Sequence, residues 1–355
     1  MKAPSFWNLR GLSRREFLEC ASQSLLALML LPELKGLEPL TRAQNPDEAV
    51  PLQGRVISNY TTIHRQPDSA SEKIETCKRD QVLDISGATV GAKTPEYNRV
   101  WYRVEPHGYV HSGGVQPVET RLNPVRSRLP RTGRLAEVTV PFTDAVWNYR
   151  RPYEVAYRLY YQTTYWVVDA RVDQHGVVWY LIPDDKFGIR YYVKGEHLRL
   201  LREEDVSPIS AHVPLEEKRI EINLEQQTVI AYEAGQPVFM TRAATGAKFR
   251  TGSYATPYGT FITNRKRPSR HMTDGDGVAN GSYDLPGVPW VSYLTTSGIS
   301  FHGTYWHNDF GRPRSHGCIN VSNDAARWIY RWTLPAVPLY KDYFAETYGT
   351  RVDVI

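Results

Sequence analysis

The sequence predicts a mainly β protein made of several small units, and three observations carry that expectation. Tyr at 23, Trp at 9 and Pro at 24 among 355 residues favour strands and turns over long helices. Short apolar runs, several alternating apolar with polar, are separated by Gly, Pro, Asp and Asn, whereas the best helical pattern is one ten-residue segment near the C-terminus. The length also exceeds what one core commonly serves, so two or three domains are expected.

Taken in order, the chain opens with Leu12-Ser13-Arg14-Arg15-Glu16-Phe17-Leu18, an apolar run from Ser24 to Leu31, and Pro32. A paired arginine ahead of a short apolar stretch resembles a twin-arginine export signal over residues 1–43, with cleavage after Ala43. The stretch is too short to span a bilayer, and the chain would stay at the membrane only if the signal were left uncleaved. The other reading is an amphipathic first helix. Export would place the protein in the cell wall, the periplasm or at the outer face of the membrane.

After a polar linker from Arg42 to Pro51, residues 52–118 give short strands at Arg55-Val56-Ile57, Gln81–Ile85, Val100–Val104 and Gly108–His111. Residues 135–202 repeat the style, with Ala136–Val140, Tyr165–Ala170, Val178–Ile182 and Ile189–Val193. Trp101-Tyr102 and Trp179-Tyr180 are the matched landmarks. Both segments resemble bacterial SH3-like modules, small five-strand barrels, which implies either binding of wall peptide or glycan, or spacers that position a third domain. Glu119–Arg134 and Glu203–Pro214 read as linkers.

The last third opens with a hairpin, Arg219–Leu224 and Thr228–Tyr232, and continues the sheet from Val238 to Ala244. Asn323–Trp332 is the helix, with Ser322 or Asn323 as N-cap and Pro335 beyond its end. Arg265, Lys266 and Arg267 read as a solvated basic face or as a carboxylate site. Ser269–Ser282, polar and containing His271, reads as a lid or a plain surface loop.

Charge excludes one class of partner. The formal net charge is +5, and the first 43 residues carry six Lys/Arg and four Asp/Glu, which leaves +3 on the remainder. That balance does not argue for nucleic acid. Of three cysteines, Cys20 falls in the signal. Cys77 is expected as a small buried apolar residue, although a bridge to Cys318 is conceivable in an oxidising compartment.

Chemistry concentrates at Ser315-His316-Gly317-Cys318, with His302-Gly303 upstream and Asn320 just after. A thiol reacts as the thiolate, so a nucleophilic cysteine needs a base, access to substrate and donors for the oxyanion. The segment resembles the YkuD family of L,D-transpeptidases, whose pattern is a histidine, a spacer, then Ser/Thr-His-Gly-Cys, a hydrophobic residue and Asn. Ala244-Thr245-Gly246 and Thr256-Pro257-Tyr258-Gly259-Thr260-Phe261 resemble further segments of that family in the same order, and the likeness covers residues 216–341.

The resemblance implies Cys318 as nucleophile, His302 as its base, Gly303 orienting the imidazole through its carbonyl, and Ser315, His316 and Gly317 shaping the loop. It implies acylation by carbapenems, peptidoglycan stem peptides as partners, and no cofactor or metal. The N–H groups of Gly317 and Cys318 are the oxyanion candidates, and a turn leading into the helix is expected to lower the thiol pKa. Asn320, Arg314, Tyr305 and His307 are expected to line the substrate. A monomer is expected. Two other readings come from different classes: a noncatalytic wall-binding protein using the tandem modules, and a zinc hydrolase using His302, His307, His316 and Cys318.

Overall fold

The computed structural model describes residues 52–91, 95–106, 108–249, 252–274 and 283–355. The expected signal, its Cys20 and residues 275–282 of the expected polar loop lie outside them. Seven strands come first: β1 (Gln53–Val56), β2 (Tyr60–His64), β3 (Lys73–Lys78), β4 (Val82–Val90), β5 (Val100–Val104), β6 (Gly108–His111) and β7 (Val115–Val118). They form one sheet in the order β3-β2-β6-β5-β4-β1-β7. Cys77 is free and fully buried in its core beside Val56, Ile63 and Val110.

Eight strands follow: β8 (Arg134–Val138), β9 (Phe142–Val146), β10 (Val155–Tyr160), β11 (Thr164–Val167), β12 (Asp169–Val172), β13 (Val178–Pro183), β14 (Arg190–Lys194) and β15 (Leu198–Leu200). They build two sheets, β10-β9-β14-β13-β12 and β11-β8-β15. The strand numbers thus exceed the five expected in each module. The repeat landmarks are equivalent in register: Tyr102 pairs with Val110, and Tyr180 with Val193. Trp101, Trp179 and Tyr180 are core residues, which removes them from any exposed binding platform.

The last third carries β16 (Lys218–Asn223), β17 (Thr228–Glu233), β18 (Gln236–Arg242), β19 (Lys248–Phe249), β20 (Gly252–Ser253), β21 (Gly259–Ile262), β22 (Arg265–Thr273), β23 (Asp284–Tyr293), β24 (Ser300–Gly303), β25 (Ile319–Val321), β26 (Phe344–Ala345) and β27 (Arg351–Val354). One sheet runs β18-β17-β16-β27-β21 and a second β25-β24-β23-β22-β26. β16 alternates buried and half-buried residues, as a strand with one face on the core must. β27 pairs parallel with β16 and antiparallel with β21, so the sheet extends past residue 341 to the end of the chain.

Among the described residues two α-helices complete the fold, α1 (Glu203–Val206) and α2 (Asn323–Trp332). Ser322 caps α2 by accepting from the Ala325 N–H at 3.3 Å. Ala325, Ala326, Ile329, Tyr330 and Trp332 then join Ile220, Ile222, Trp290, Phe301 and Ile319 in the largest core. α1 lies in the stretch expected to be a linker. It is held against α2 by Asp205, which accepts from Arg327 at 2.8 Å, while Arg331 donates to the Ser207 carbonyl at 2.8 Å.

The basic run also differs from expectation. Lys266 is fully buried and donates to the carbonyls of Tyr330 and Thr333 at 2.8 and 2.6 Å, the acceptors left unpaired at the C-terminal end of α2. It is neither a surface charge nor a carboxylate site. His271, expected in a loop, sits on β22 and is 2% exposed.

Residues 50–355 form one compact unit. Arg55 shows why. Its buried guanidinium donates to Gln116 in the first module at 2.8 Å and to the Tyr305 carbonyl in the last third at 2.5 Å, and lies 4.1 Å from the Tyr160 ring centroid of the middle segment. Among the described residues no helix is long and apolar enough to cross a membrane.

Candidate active site

The nucleophile loop is held by two short segments that meet behind it. The N–H groups of Arg314 and Ser315 donate to the Thr245 carbonyl at 2.7 and 2.9 Å, and the Ala247 N–H donates to the Ser315 carbonyl at 2.9 Å. Thr256 Oγ1 accepts from the Gly246 N–H at 2.9 Å and donates to the Gly317 carbonyl at 2.8 Å. The Thr-Gly and Thr-Pro segments singled out in the sequence are therefore the back wall of the loop. Gly246 is needed because a Cβ there would run into the Tyr254 carbonyl.

Inside the loop, Ser315 Oγ donates to the Cys318 carbonyl at 2.5 Å and accepts from the Gly317 N–H at 3.1 Å. Gly317 has φ +107°, which disfavours any residue with a Cβ, although a Cβ there would meet Ile299 and Tyr254 only at ordinary contact distance. The engaged Gly317 N–H corrects its expected place as an oxyanion donor. His316 is exposed and stacks on Phe249 with ring centroids 4.6 Å apart, with Tyr254 at 4.6 Å and Tyr283 at 5.4 Å around it.

β24 and β25 pair in parallel, with His302 opposite Asn320, which brings His302 to Cys318 at the start of β25. His302 is 3% exposed, and its Nδ1 donates to the Gly303 carbonyl at 3.0 Å. A carbonyl can only accept, so Nδ1 carries a proton, and in the neutral ring Nε2 is the nitrogen with the free lone pair. Burial pushes the Cys318 thiol up, but its hydrogen bond and charge interaction with His302, joined by Ser300, outweigh burial and leave the thiol below its ordinary value. Cys318 is half-buried, hence open to a substrate. The arrangement is that of an activated nucleophile with an oriented base.

Of the two expected sources of activation, the nearby imidazole acts on the thiol, whereas the helix N-terminus does not. β25 intervenes between Cys318 and α2, and three strand residues separate the thiol from the helix N-terminus by roughly 10 Å, so the helix dipole has little reach.

Three residues expected at the substrate are instead buried supports. Tyr305 is 4% exposed, donates from its hydroxyl to the Pro286 carbonyl at 3.1 Å and stacks on Tyr160. His307 and Asn320 are each 3% exposed and contact one another at 3.0 Å through Nε2 and the Asn320 amide. His307 Nδ1 accepts from the Asp309 N–H at 3.3 Å, so Nε2 must carry the ring proton. The Asn320 amide is satisfied when its oxygen faces that N–H, which also gives its otherwise unpaired buried oxygen a partner. Burial and the charges of Arg314, His302 and Arg312 hold His307 well below its usual range, and the ring is neutral. These side chains reach inward because the loop between His302 and Ser315 folds back onto the first module.

Arg314 stays at the surface, bonded to Asp309 at 3.0 Å, a carboxylate it shares with Arg312. Sequence reading missed Ser300, whose Oγ lies 3.7 Å from Cys318 Sγ. The period-2 rule would have flagged it, since Ser300 and His302 stand on one face of β24 while Phe301 turns to the core. Asp309, read in the sequence as a loop or substrate-lining residue, is a buried carboxylate paired with Arg312 and Arg314, and the Phe249, Tyr254 and Tyr283 rings around His316 are marked by no spacing.

The last third of the chain matches known proteins. The family described as L,D-transpeptidase catalytic domain, YkuD, matches residues 217–354. A curated Bacillus subtilis (strain 168) protein named "Putative L,D-transpeptidase YciB" is 25% identical over 121 residues, covering 31% of this chain. The chain spans 58% of that protein's length. Among solved structures, the catalytic domain of an Enterococcus faecium L,D-transpeptidase is 23% identical, with 39% of this chain and 98% of that one covered at a TM-score of 0.30. An L,D-transpeptidase from Mycobacterium smegmatis is 18% identical, with 76% and 100% covered at a TM-score of 0.32. Residues 217–354 of this chain form a YkuD-family L,D-transpeptidase catalytic domain.

Proposed function

We propose that the protein is an exported L,D-transpeptidase that remodels peptidoglycan through a thioester on Cys318. The observation that carries this reading is the His302 imidazole, locked by its Nδ1 bond to the Gly303 carbonyl so that Nε2 is the nitrogen left to exchange a proton with the half-buried thiol. In the first half-reaction the Cys318 proton passes to His302 Nε2, and the thiolate attacks the carbonyl carbon between stem residue three and the terminal D-alanine. The C–N bond breaks, His302 returns the proton to the departing amine, and D-alanine leaves. An amine of a neighbouring stem then attacks the thioester and loses a proton to His302. The new amide forms, and Cys318 recovers the proton.

Arg312 and Arg314 share the single carboxylate of Asp309, so the rim keeps one net positive charge. That charge suits the free carboxylates of a stem peptide. The test is mass spectrometry after incubation with imipenem: the wild type is expected to gain one adduct and Cys318→Ala none. An equal adduct on the alanine variant would remove Cys318 from the mechanism.

A further inference from the structure

Ser300 is fully buried on β24, and its hydroxyl makes one contact among the described residues, the one to Cys318 Sγ at 3.7 Å. A buried hydroxyl needs an acceptor, and a neutral thiol is a weak one, whereas a thiolate is a strong one. The sulfur has a second neighbour, the Gly298 carbonyl at 3.8 Å, which can only accept and so serves the thiol in its protonated form. Ser300 and Gly298 thus favour opposite protonation states of one sulfur. His302, two residues along the same strand face, is the other group that stabilises the charged form.

We propose that Ser300 is a further catalytic residue, a hydroxyl donor that holds the Cys318 thiolate in line for attack. The proposal rests on Cys318 being the nucleophile. Before attack the Ser300 O–H donates to the sulfur anion. When the S–C bond forms, the negative charge moves to the carbonyl oxygen and the hydroxyl's bond weakens, and when the thiolate leaves in the second half-reaction the same bond re-forms. Ser300 therefore assists ionisation and deacylation by one contact and exchanges no proton.

The other titratable groups around the sulfur are His302 on β24, His316 in its own loop, and Tyr254 and Tyr283 across the site. Burial and the nearby Cys318 charge push the Tyr283 hydroxyl up, so it stays neutral through the range in which the thiol titrates. Ser292, on the neighbouring strand opposite Phe301, supplies a control: its buried hydroxyl has no hydrogen-bond partner among the described residues.

The experiment is the pH dependence of Cys318 alkylation by iodoacetamide on the full chain, followed by mass spectrometry, beside the imipenem reaction. Ser300→Ala is expected to raise the alkylation midpoint by about one pH unit and to slow imipenem acylation about tenfold below that midpoint, the scale of one bond to a charged group. Ser292→Ala is expected to leave both unchanged. Should Ser300→Ala not fold, Ser300→Thr and Ser300→Val form a matched pair with and without the hydroxyl, and only the valine variant is expected to shift. A wild-type midpoint in the hydroxyl-free variants, with the wild type still acylated by imipenem, overturns the role of Ser300 alone. A wild type that imipenem does not acylate overturns the transpeptidase reading, whatever the midpoints.

Discussion

Asn308, in the loop between His302 and Cys318, donates from its side chain to the Val115 carbonyl of the first module at 3.1 Å. The same amide group also lies 3.3 Å from the Ser112 carbonyl and the Tyr102 hydroxyl. Tyr97 donates to Asp309 at 3.3 Å, and Arg55 holds the Tyr305 carbonyl. The loop that carries His307, the partner of Asn320, is thus organised by residues nearly two hundred positions earlier. The proposed nucleophile and base lie in the last third, but the last third does not own all of their supports.

A fragment beginning at Pro214 is therefore expected to be less stable than the full chain and to be acylated by imipenem more slowly. It loses the Leu135 and Leu201 contacts to the main core as well as the loop contacts. In the full chain, Asn308→Ala is expected to cost about 1–3 kcal/mol by stranding acceptors in a buried interface. Urea unfolding checks the variant, and circular dichroism with acylation kinetics checks the fragment. A fragment as stable and as reactive as the full chain would show that the first two modules are passive.

Gly317→Ala tests the backbone of the nucleophile loop. With φ +107° and ordinary space around it, the position excludes a side chain for conformational reasons, and the strain is about 1–3 kcal/mol. If the loop relieves that strain by shifting, Cys318 leaves its contacts with His302 and Ser300. The expected result is at least about a tenfold loss in acylation rate with a modest loss of stability. A variant that reacts at the wild-type rate would show that the loop tolerates the change without moving the sulfur.

The site was legible in the sequence where function demands particular residue types at fixed spacing. Cys318, His302 and the two glycine-bearing segments behind the loop each stand where a thiol nucleophile needs them, and α2 was legible from its cap and its period. What was not legible is tertiary. Tyr305 and His307, in a loop, and Asn320, on β25, carry polar side chains close to the nucleophile in sequence, and sequence alone cannot tell a polar group facing substrate from one facing the protein interior. Lys266 likewise read as surface because lysine is rarely buried, and only the position of the C-terminal end of α2 explains it. Ser300 has no motif at all, and its value comes from sharing a strand face with His302.

Export is tested at the other end of the chain. Replacing Arg14 and Arg15 with lysine is expected to leave an unprocessed precursor in the cytoplasm, because the arginine pair is read by a receptor and not by its charge. Cell fractionation with a C-terminal tag reports the outcome. Normal export of the double variant would point to another route.

His271 makes stability depend on pH, with a sign that follows from its partners. Its Nδ1 faces Asp184 of the middle segment at 2.5 Å and its Nε2 faces Asp284, so only the imidazolium can donate to both carboxylates. Burial pushes the ring down, but the hydrogen bonds and charges of Asp184 and Asp284 prevail and raise His271 above its ordinary value. Burial pushes Asp184 up, yet His271 and the N–H groups of Phe187 and Lys186 prevail and lower it. A raised histidine contributes stability that is complete below about pH 6.5 and is lost as pH rises through its folded value, and a lowered aspartate contributes stability lost as pH falls below about 4. The pair is strongest between those limits. Its excess stability over His271→Gln is expected to shrink by about 1 kcal/mol or more between pH 6 and pH 9, measured by urea unfolding, while groups elsewhere cancel in the difference. A gap that stays constant over that range would mean that His271 is neutral in the folded protein and that one of its two contacts to carboxylate is not a hydrogen bond.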